Sequence, residues 1–257
     1  MTAGAPGRAF DSQALRPRAV EIAVHDPAGA RIAFEAGADR VELCTAPGTG
    51  GLTPSIGTVA ACVRIAEAAG RLAGVHVLVR PREGGYVYTA EEVETQLADI
   101  RAVVEAGAGG VVIGALTADG QIDRPAVERL VLAAGEAAVT FHRALDAMPD
   151  PQASVDVLVG LGISRILTSG GAARSIDGAT ELAALADRAD GRLEVMAGGG
   201  VRPVDIPTLF ALGIDAVHLS ARQIVEDPAP TGPVGGASLV SRTDPALVHA
   251  AVAAARR

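Results

Sequence analysis

The chain has 257 residues, a length that favours one large domain over two ordinary ones. Its net charge of -8 and pI of about 5.1 argue against nucleic acid or an anionic membrane as a partner. Lysine is absent, which excludes Schiff-base chemistry, lysine-linked pyridoxal phosphate and a Walker A loop. The two cysteines are too few for a disulfide scaffold and favour a reducing, cytoplasmic location.

The chain begins with residues 1–18, which mix Gly, Pro and Arg and predict a disordered tail instead of a signal peptide. Residues 19–257 are predicted to form a single domain. Four segments in it share a helix end, a glycine and a strand, and four more apolar runs alternate with them. The segments are 35–44, 105–114, 160–169 and 211–220, and the runs are 19–24, 75–80, 139–144 and 193–197.

These repeats predict eight parallel strands, and hence an α/β protein with a (β/α)8 TIM barrel fold. An open doubly wound sheet is the alternative, but no GxGxxG motif follows the first strand. Helix starts are predicted where Asp26, Asp150 and Asp244 each precede a proline, and at the capping box of Thr89 and Glu92. Left-handed helix ends are predicted at Gly37, Gly107, Gly162 and Gly213.

Residues 222–243, after the eighth strand, are rich in Pro and Gly and predict an irregular segment. A lid over the active face, a dimer contact and disorder all remain open for it.

Side chains alternate along a strand, so residue parity separates an apolar outer set from a polar inner set. The inner set contains Glu21, Glu42, Arg80, His142, His218 and Ser220. One interpretation is a closed ion-pair network in which Arg80 neutralises the two glutamates. A functional site at the C-terminal ends of the strands is favoured, because groups from separate strands converge on one space. His76 is interpreted as a core histidine, and Glu194 as a residue near the bottom of the barrel.

Glycine-rich loops follow the sixth and seventh strands, with the sequences TSGG and MAGGGVR. Backbone N–H groups and an arginine in such loops could bind phosphate or another anion, although tight turns alone would also explain the glycines. The candidate anion-binding residues are Ser169, Gly170, Gly198, Gly199, Gly200 and Arg202.

Several motifs together resemble the CutC family from about residue 20 to about residue 221. They are VELC, GGLTPS, RPREGGYVY, GALTADGQID, TFHRALD, RILTSGG, MAGGGVR and HLSA. The resemblance implies a cytoplasmic barrel, a homodimer or higher homo-oligomer, and a role in copper homeostasis. It also adds Arg143 and Asp146 to the candidate catalytic residues.

The chain departs from the family pattern at Ala23, where many members carry a cysteine two residues after the first-strand glutamate. Copper(I) prefers soft sulfur ligands. Cys44 remains as a candidate ligand, with Met196 as a soft partner and His25 or His142 as imidazoles. The alternatives are no cofactor, or an unknown divalent metal bound by Glu21, Glu42 and His142.

Three functions follow from these patterns. The first is copper(I) binding near Cys44. The second is an isomerase, epimerase or lyase that acts without a Schiff base on a small anionic or phosphorylated, sugar-like substrate. In it Glu42 or Glu21 would be the general base, His142 the acid and Arg80 the anion stabiliser. The third is a barrel without turnover that acts through partners.

Overall fold

Eight parallel strands close into a barrel, with each strand paired to its neighbours in chain order and the last paired to the first. The computed structural model describes residues 18–227 and 239–257. The predicted tail therefore lies outside the described residues, apart from Arg18. The strands are β1 (Ala19–Val24), β2 (Arg40–Leu43), β3 (Val75–Leu78), β4 (Gly110–Ile113), β5 (Ala138–Phe141), β6 (Arg165–Thr168), β7 (Glu194–Gly198) and β8 (Ala216–Leu219).

Helices alternate with these strands and complete the (β/α)8 fold, which confirms the predicted fold class. They are α1 (Pro27–Glu35), α2 (Ile56–Ala68), α3 (Ala90–Glu105), α4 (Arg124–Ala134), α5 (Pro151–Gly160), α6 (Ala179–Ala189), α7 (Ile206–Ala211) and α8 (Pro245–Ala255). Their predicted start signals are present: Asp26 accepts a hydrogen bond from the backbone of Gly29, and Thr89 forms a capping box with Glu92.

The barrel separates two kinds of side chain. Val20, Ile22 and Val24 of β1 are buried in the main apolar core between the strands and the helices. The intervening residues of β1 point into the lumen, where the register pairs Glu21 with His218. The strands therefore bring polar residues that are distant in sequence into shared layers.

The segment after β8 is more regular than predicted. Its described parts form an antiparallel ribbon of β9 (Arg222–Glu226) and β10 (Leu239–Thr243), in which Val225 pairs with Val240. The expectation of an irregular segment is wrong for these residues, because β-branched side chains at both ends favour pairing. Residues 228–238 lie outside the described ranges. Within those ranges, no helix combines the length and hydropathy needed to cross a membrane.

Candidate functional site

The lower end of the lumen, where the strands begin, contains a compact network of ion pairs. Glu194 accepts two hydrogen bonds from Arg165, at 2.7 and 2.9 Å, and a third from Arg40 at 2.5 Å. Arg165 Nη1 also donates to Thr140 Oγ1 at 3.0 Å. Glu194 therefore lies at the bottom, as predicted. The sequence analysis missed both arginines of this network.

Glu21 links this network to the layer above it. Its Oε2 accepts from Arg40 Nε at 3.1 Å, and its Oε1 lies 2.9 Å from His218 Nδ1. Burial alone would raise the pKa of Glu21, but the hydrogen bond with His218 and the charge of Arg40 outweigh it and hold that pKa far below its usual range. Glu21 is fully enclosed, and this predicted catalytic residue does not line the cavity that opens above it.

A cavity of about 540 Å³ opens at the C-terminal ends of the strands. We call it the mouth cavity. It brings together most of the predicted site residues from β2, β3, β5, β8 and the loops that follow. The predicted residues on its wall are Glu42, Cys44, Arg80, His142, Arg143, Asp146, Gly199, Gly200, His218 and Ser220.

Glu42 and His218 form one wall of the mouth cavity. Glu42 Oε2 lies 3.6 Å from His218 Nε2. Glu42 is 7% exposed, and its burial, together with the charge of Glu21, raises its pKa to about 6 although His218 opposes the shift. A carboxyl group with this pKa can both accept and release a proton near neutral pH.

His142 lines the mouth cavity and is held as a neutral ring with one donor that is unpaired among the described residues. Its Nδ1 accepts from the backbone N–H of Ala144 at 3.1 Å, which leaves the ring proton on Nε2. Nε2 is buried and has no hydrogen-bond partner in the described ranges. Burial and the charge of Arg80 lower the pKa of His142 to about 3. The ring can donate to a ligand oxygen, but it is not the protonated acid that the sequence analysis expected.

Arg80 organises the loops around the mouth cavity and keeps its positive charge there. Its Nη1 donates to the carbonyl oxygens of Thr49 and Gly51 at 3.0 Å each, and its Nη2 donates to that of Gly84 at 2.7 Å. Arg80 has no ion pair with a carboxylate of the described chain. The predicted neutralisation of the two glutamates by Arg80 is therefore absent, because its guanidinium group bonds to neutral carbonyls instead.

Asp146 holds the loop after β6. It accepts hydrogen bonds from Thr168 Oγ1 at 2.5 Å and from the backbone of Ser169 at 3.1 Å, and Arg143 Nε pairs with it at 2.7 Å. Ser169 is fully buried, and its hydroxyl donates to the carbonyl of Ala172. The polar groups of Asp146 and Ser169 are therefore engaged in the hydrogen bonds that hold this loop.

The predicted anion-binding loop is brought only partly to the mouth cavity. Gly199 and Gly200 line it, whereas Gly198 pairs with His218 inside the sheet. Gly170 packs so tightly against Gly178 that a Cβ atom would lie 2.4 Å from the Gly178 carbonyl oxygen, which fits the alternative of a tight turn.

Arg202 is not part of the mouth cavity. Its guanidinium group forms two hydrogen bonds with Asp205, at 2.9 and 2.8 Å, and its side chain is 57% exposed. The expectation that it binds an anion is corrected, because this ion pair with the start of the next helix holds it on the surface.

The two predicted soft ligands do not meet. Cys44 Sγ lies 3.4 Å from His25 Nδ1 at the mouth. Met196 is fully buried in a lower layer with Ala19 and Ala216, and does not line the cavity. The partner of Cys44 is therefore His25 and not Met196. Burial and the charge of Glu42 raise the pKa of the Cys44 thiol, and the described ranges contain no group of three metal-ligating acidic, histidine or cysteine side chains.

The closed barrel and its polar mouth define a TIM-barrel protein with a cavity of small-molecule size at the C-terminal face. More narrowly, the CutC family model matches residues 18–223, and the chain belongs to the CutC family. The resemblance identified from the motifs is thereby confirmed.

Curated relatives agree with this assignment. A CutC family protein of Klebsiella pneumoniae (strain 342) is 45% identical over 207 residues, which are 79% of this chain and 80% of that protein. One from Xylella fastidiosa (strain 9a5c) is 40% identical and covers 80% and 76% of the two chains.

Solved structures agree as well. A CutC protein of Streptococcus agalactiae, provisionally named for copper homeostasis, has a TM-score of 0.75 and 32% identity. The match covers 79% of this chain and 98% of that one. An aldolase, QR15, with 15% identity and a TM-score of 0.60 shares the fold alone.

Proposed function

We propose that this CutC-family barrel binds a small anionic organic molecule in the mouth cavity and moves a proton on it. The observation that carries the proposal is the combination of Glu42, the Nε2–H of His142 and the uncompensated charge of Arg80 in one cavity. A buried donor without a partner in the described chain, such as His142 Nε2, and a buried cation without a carboxylate there, such as Arg80, are costly, so a ligand that supplies both explains their placement.

Each group has a separate role in this proposal. Arg80 attracts the negative charge of a sugar-like or phosphorylated substrate. His142 donates a hydrogen bond to a substrate oxygen on which charge develops, and Glu42 serves as the general base. Isomerase, epimerase and lyase reactions fit these groups, and the absence of lysine restricts them to routes without a Schiff base.

A binding experiment tests this proposal. Titration calorimetry with orthophosphate, glycolate and 3-phosphoglycerate should detect binding to the wild type. We expect Arg80→Gln to weaken it by about tenfold or more, because the cation is lost from a shielded cavity. Arg64→Gln, which changes an exposed arginine on α2, is the matched control and should bind like the wild type. Absence of binding by the wild type, or equal binding by both variants, contradicts the proposal.

Copper(I) binding is a second candidate, supported by the contact between Cys44 and His25. A thiol and an imidazole suit a soft ion. The residues fit at most a two-coordinate ion, since Ala23 replaces the cysteine that many family members carry and Met196 lies elsewhere. Copper(I) would here be cargo. The family resemblance supports copper homeostasis and a homodimer or higher homo-oligomer, and the free thiols of Cys44 and Cys62 support a cytoplasmic location.

The two cysteines provide a matched test of copper binding. Cys44→Ser should abolish stoichiometric copper(I) binding measured against a competing chelator. Cys62→Ser removes a thiol on the buried face of α2 and should leave that binding intact. Equal binding by the two variants excludes the Cys44 site.

A further inference from the structure

We infer that His218, which is held in place by Glu21 beneath it, is the general acid of the mouth cavity. We further infer that His218 and Glu42 together isomerise an α-hydroxy carbonyl compound, with Glu42 as the single base. This inference rests on the proposed proton transfer and names its acid and its substrate class. The sequence analysis assigned the acid role to His142, which the structure holds neutral.

The contacts of His218 support its role as the general acid. Nδ1 of its ring lies 2.9 Å from the fully enclosed Glu21, so the Nε2 atom faces Glu42 and the cavity. Arg40 holds the other oxygen of Glu21 at 3.1 Å and fixes that carboxylate in place. Glu21 is therefore a positioning residue, which orients the ring of His218 without touching a ligand.

The charges around His218 also support its role as the general acid. Glu21 on β1 and Glu42 on β2 face the ring, and the positive charge of Arg143 after β5 opposes their effect. Burial lowers the pKa of His218, and Arg143 also lowers it, but the two carboxylates outweigh them and raise it above its ordinary value. Each ring nitrogen faces a carboxylate, Nδ1 at 2.9 Å and Nε2 at 3.6 Å, and this arrangement favours the protonated ring.

The spacing of the acid and the base supports the proposed isomerisation with one base. Nε2 of His218 and Oε2 of Glu42 are 3.6 Å apart on one wall, so both groups reach neighbouring atoms of one ligand from the same side. An α-hydroxy carbonyl group offers such neighbours: a carbon-bound proton and a carbonyl oxygen. An inverting epimerase needs a second base on the opposite face of the ligand. Of the further candidates that line the cavity, His142 has its Nδ1 bonded to a backbone N–H and Asp146 is paired with Arg143.

The reaction balances without a further reagent. Glu42 takes the proton from the hydroxyl-bearing carbon, and the electrons of that C–H bond form the carbon–carbon double bond of an enediol. The electron pair of the carbonyl π bond moves to its oxygen, which takes the proton from His218 Nε2. His218 then accepts the proton of the other hydroxyl as a new carbonyl forms, and Glu42 returns its proton to the neighbouring carbon.

Histidine-ring NMR tests the acid. In the full-length protein, His218 should remain protonated at neutral pH, and Glu21→Gln should lower its titration midpoint by about one pH unit or more. Glu67→Gln, on the exposed face of α2, is the control and should leave the midpoint unchanged. A neutral His218 in the wild type overturns the inference, and that measurement is sufficient if Glu21→Gln does not fold.

Isotope exchange tests the substrate class. Glyceraldehyde 3-phosphate incubated with the protein in D2O should isomerise, and part of the product should retain the substrate's own proton, because one buried base handles both carbons. Glu42→Gln should abolish this reaction, and His218→Asn should slow it by about a hundredfold. Full deuteration of the product, or no reaction, overturns the substrate class, whereas loss of calorimetric anion binding overturns the proposed function itself.

Discussion

The two ends of the barrel lumen use the same kinds of residue in opposite ways. At the lower end, Glu194 is bonded by both Arg40 and Arg165, and the charges compensate one another. At the mouth, Arg80 bonds to neutral carbonyls, and Glu42 keeps a raised pKa. A set of buried charges is therefore structural where its members satisfy each other, and it indicates a ligand site where they do not.

Arg165→Met should produce the largest change in stability, because it disrupts the ion-pair network at the lower end of the lumen. The side chain of Arg165 is 7% exposed, and its loss leaves Glu194 with one cation instead of two. We expect the free energy of unfolding to fall by about 4 kcal/mol in urea denaturation. Arg64→Met should change it little. A similar, small effect of both substitutions would show that the lower network does not stabilise the barrel.

Glu42→Gln should raise the free energy of unfolding at mildly alkaline pH, whereas Arg165→Met lowers it. The pKa of Glu42 is raised from 4.5 to about 6 in the folded state, so its stabilising contribution is complete below pH 4.5 and is lost as the pH rises through about 6. Ionised Glu42 then costs about 2 kcal/mol, and the variant should be more stable than the wild type by this amount near about pH 8. Equal stability of the two proteins at both ends of this pH range contradicts the account.

Asp146→Asn tests a residue of the mouth cavity whose carboxylate is satisfied by protein groups, as the charges at the lower end of the lumen are. Asp146 lines the mouth cavity but accepts hydrogen bonds from Thr168 and Ser169. We expect the substitution to lower the free energy of unfolding by about 1 kcal/mol and to increase proteolysis of the loop after β6. Unchanged stability combined with lost anion binding would instead place Asp146 in direct contact with the ligand.

Arg202→Gln should have the smallest effect. The Arg202 side chain is 57% exposed, and the buried Asp205 also pairs with Arg174. The free energy of unfolding should therefore change by about 0.5 kcal/mol or less, and orthophosphate affinity should stay at the wild-type value. A clear loss of phosphate affinity in calorimetry would restore the interpretation of Arg202 as an anion ligand.

Strand alternation predicted the mouth well, because Glu42, Cys44, Arg80, His142 and His218 all follow it. The same rule, applied one step before the predicted start of β2, would have found Arg40. Sequence pattern alone could not find Arg165 or Tyr86. Strand β6 otherwise reads as uniformly apolar, and Tyr86 comes from a loop, where no period fixes its direction. Its ring centroid nevertheless lies 4.8 Å from that of His142 in the mouth cavity.

Sequence pattern also cannot identify the groups that bond to each charged residue. Arg80 was expected to neutralise the glutamates, but the fold turns its guanidinium group towards the carbonyls of two loops. Met196 has the inward parity, yet it lies in a lower layer than Cys44. Parity gives the face of a strand, whereas depth along the barrel depends on the register between strands.

Carboxyl-carbon NMR titration of Glu42 and Glu194 in one sample compares the two ends most directly. The account predicts that Glu42 titrates near pH 6, because it is buried without full compensation. Glu194 should titrate below its ordinary value, because its ion pairs with Arg165 and Arg40 outweigh its burial. A depressed pKa for Glu42, or the same pKa for both groups, would contradict the distinction between an open mouth and a closed lower end.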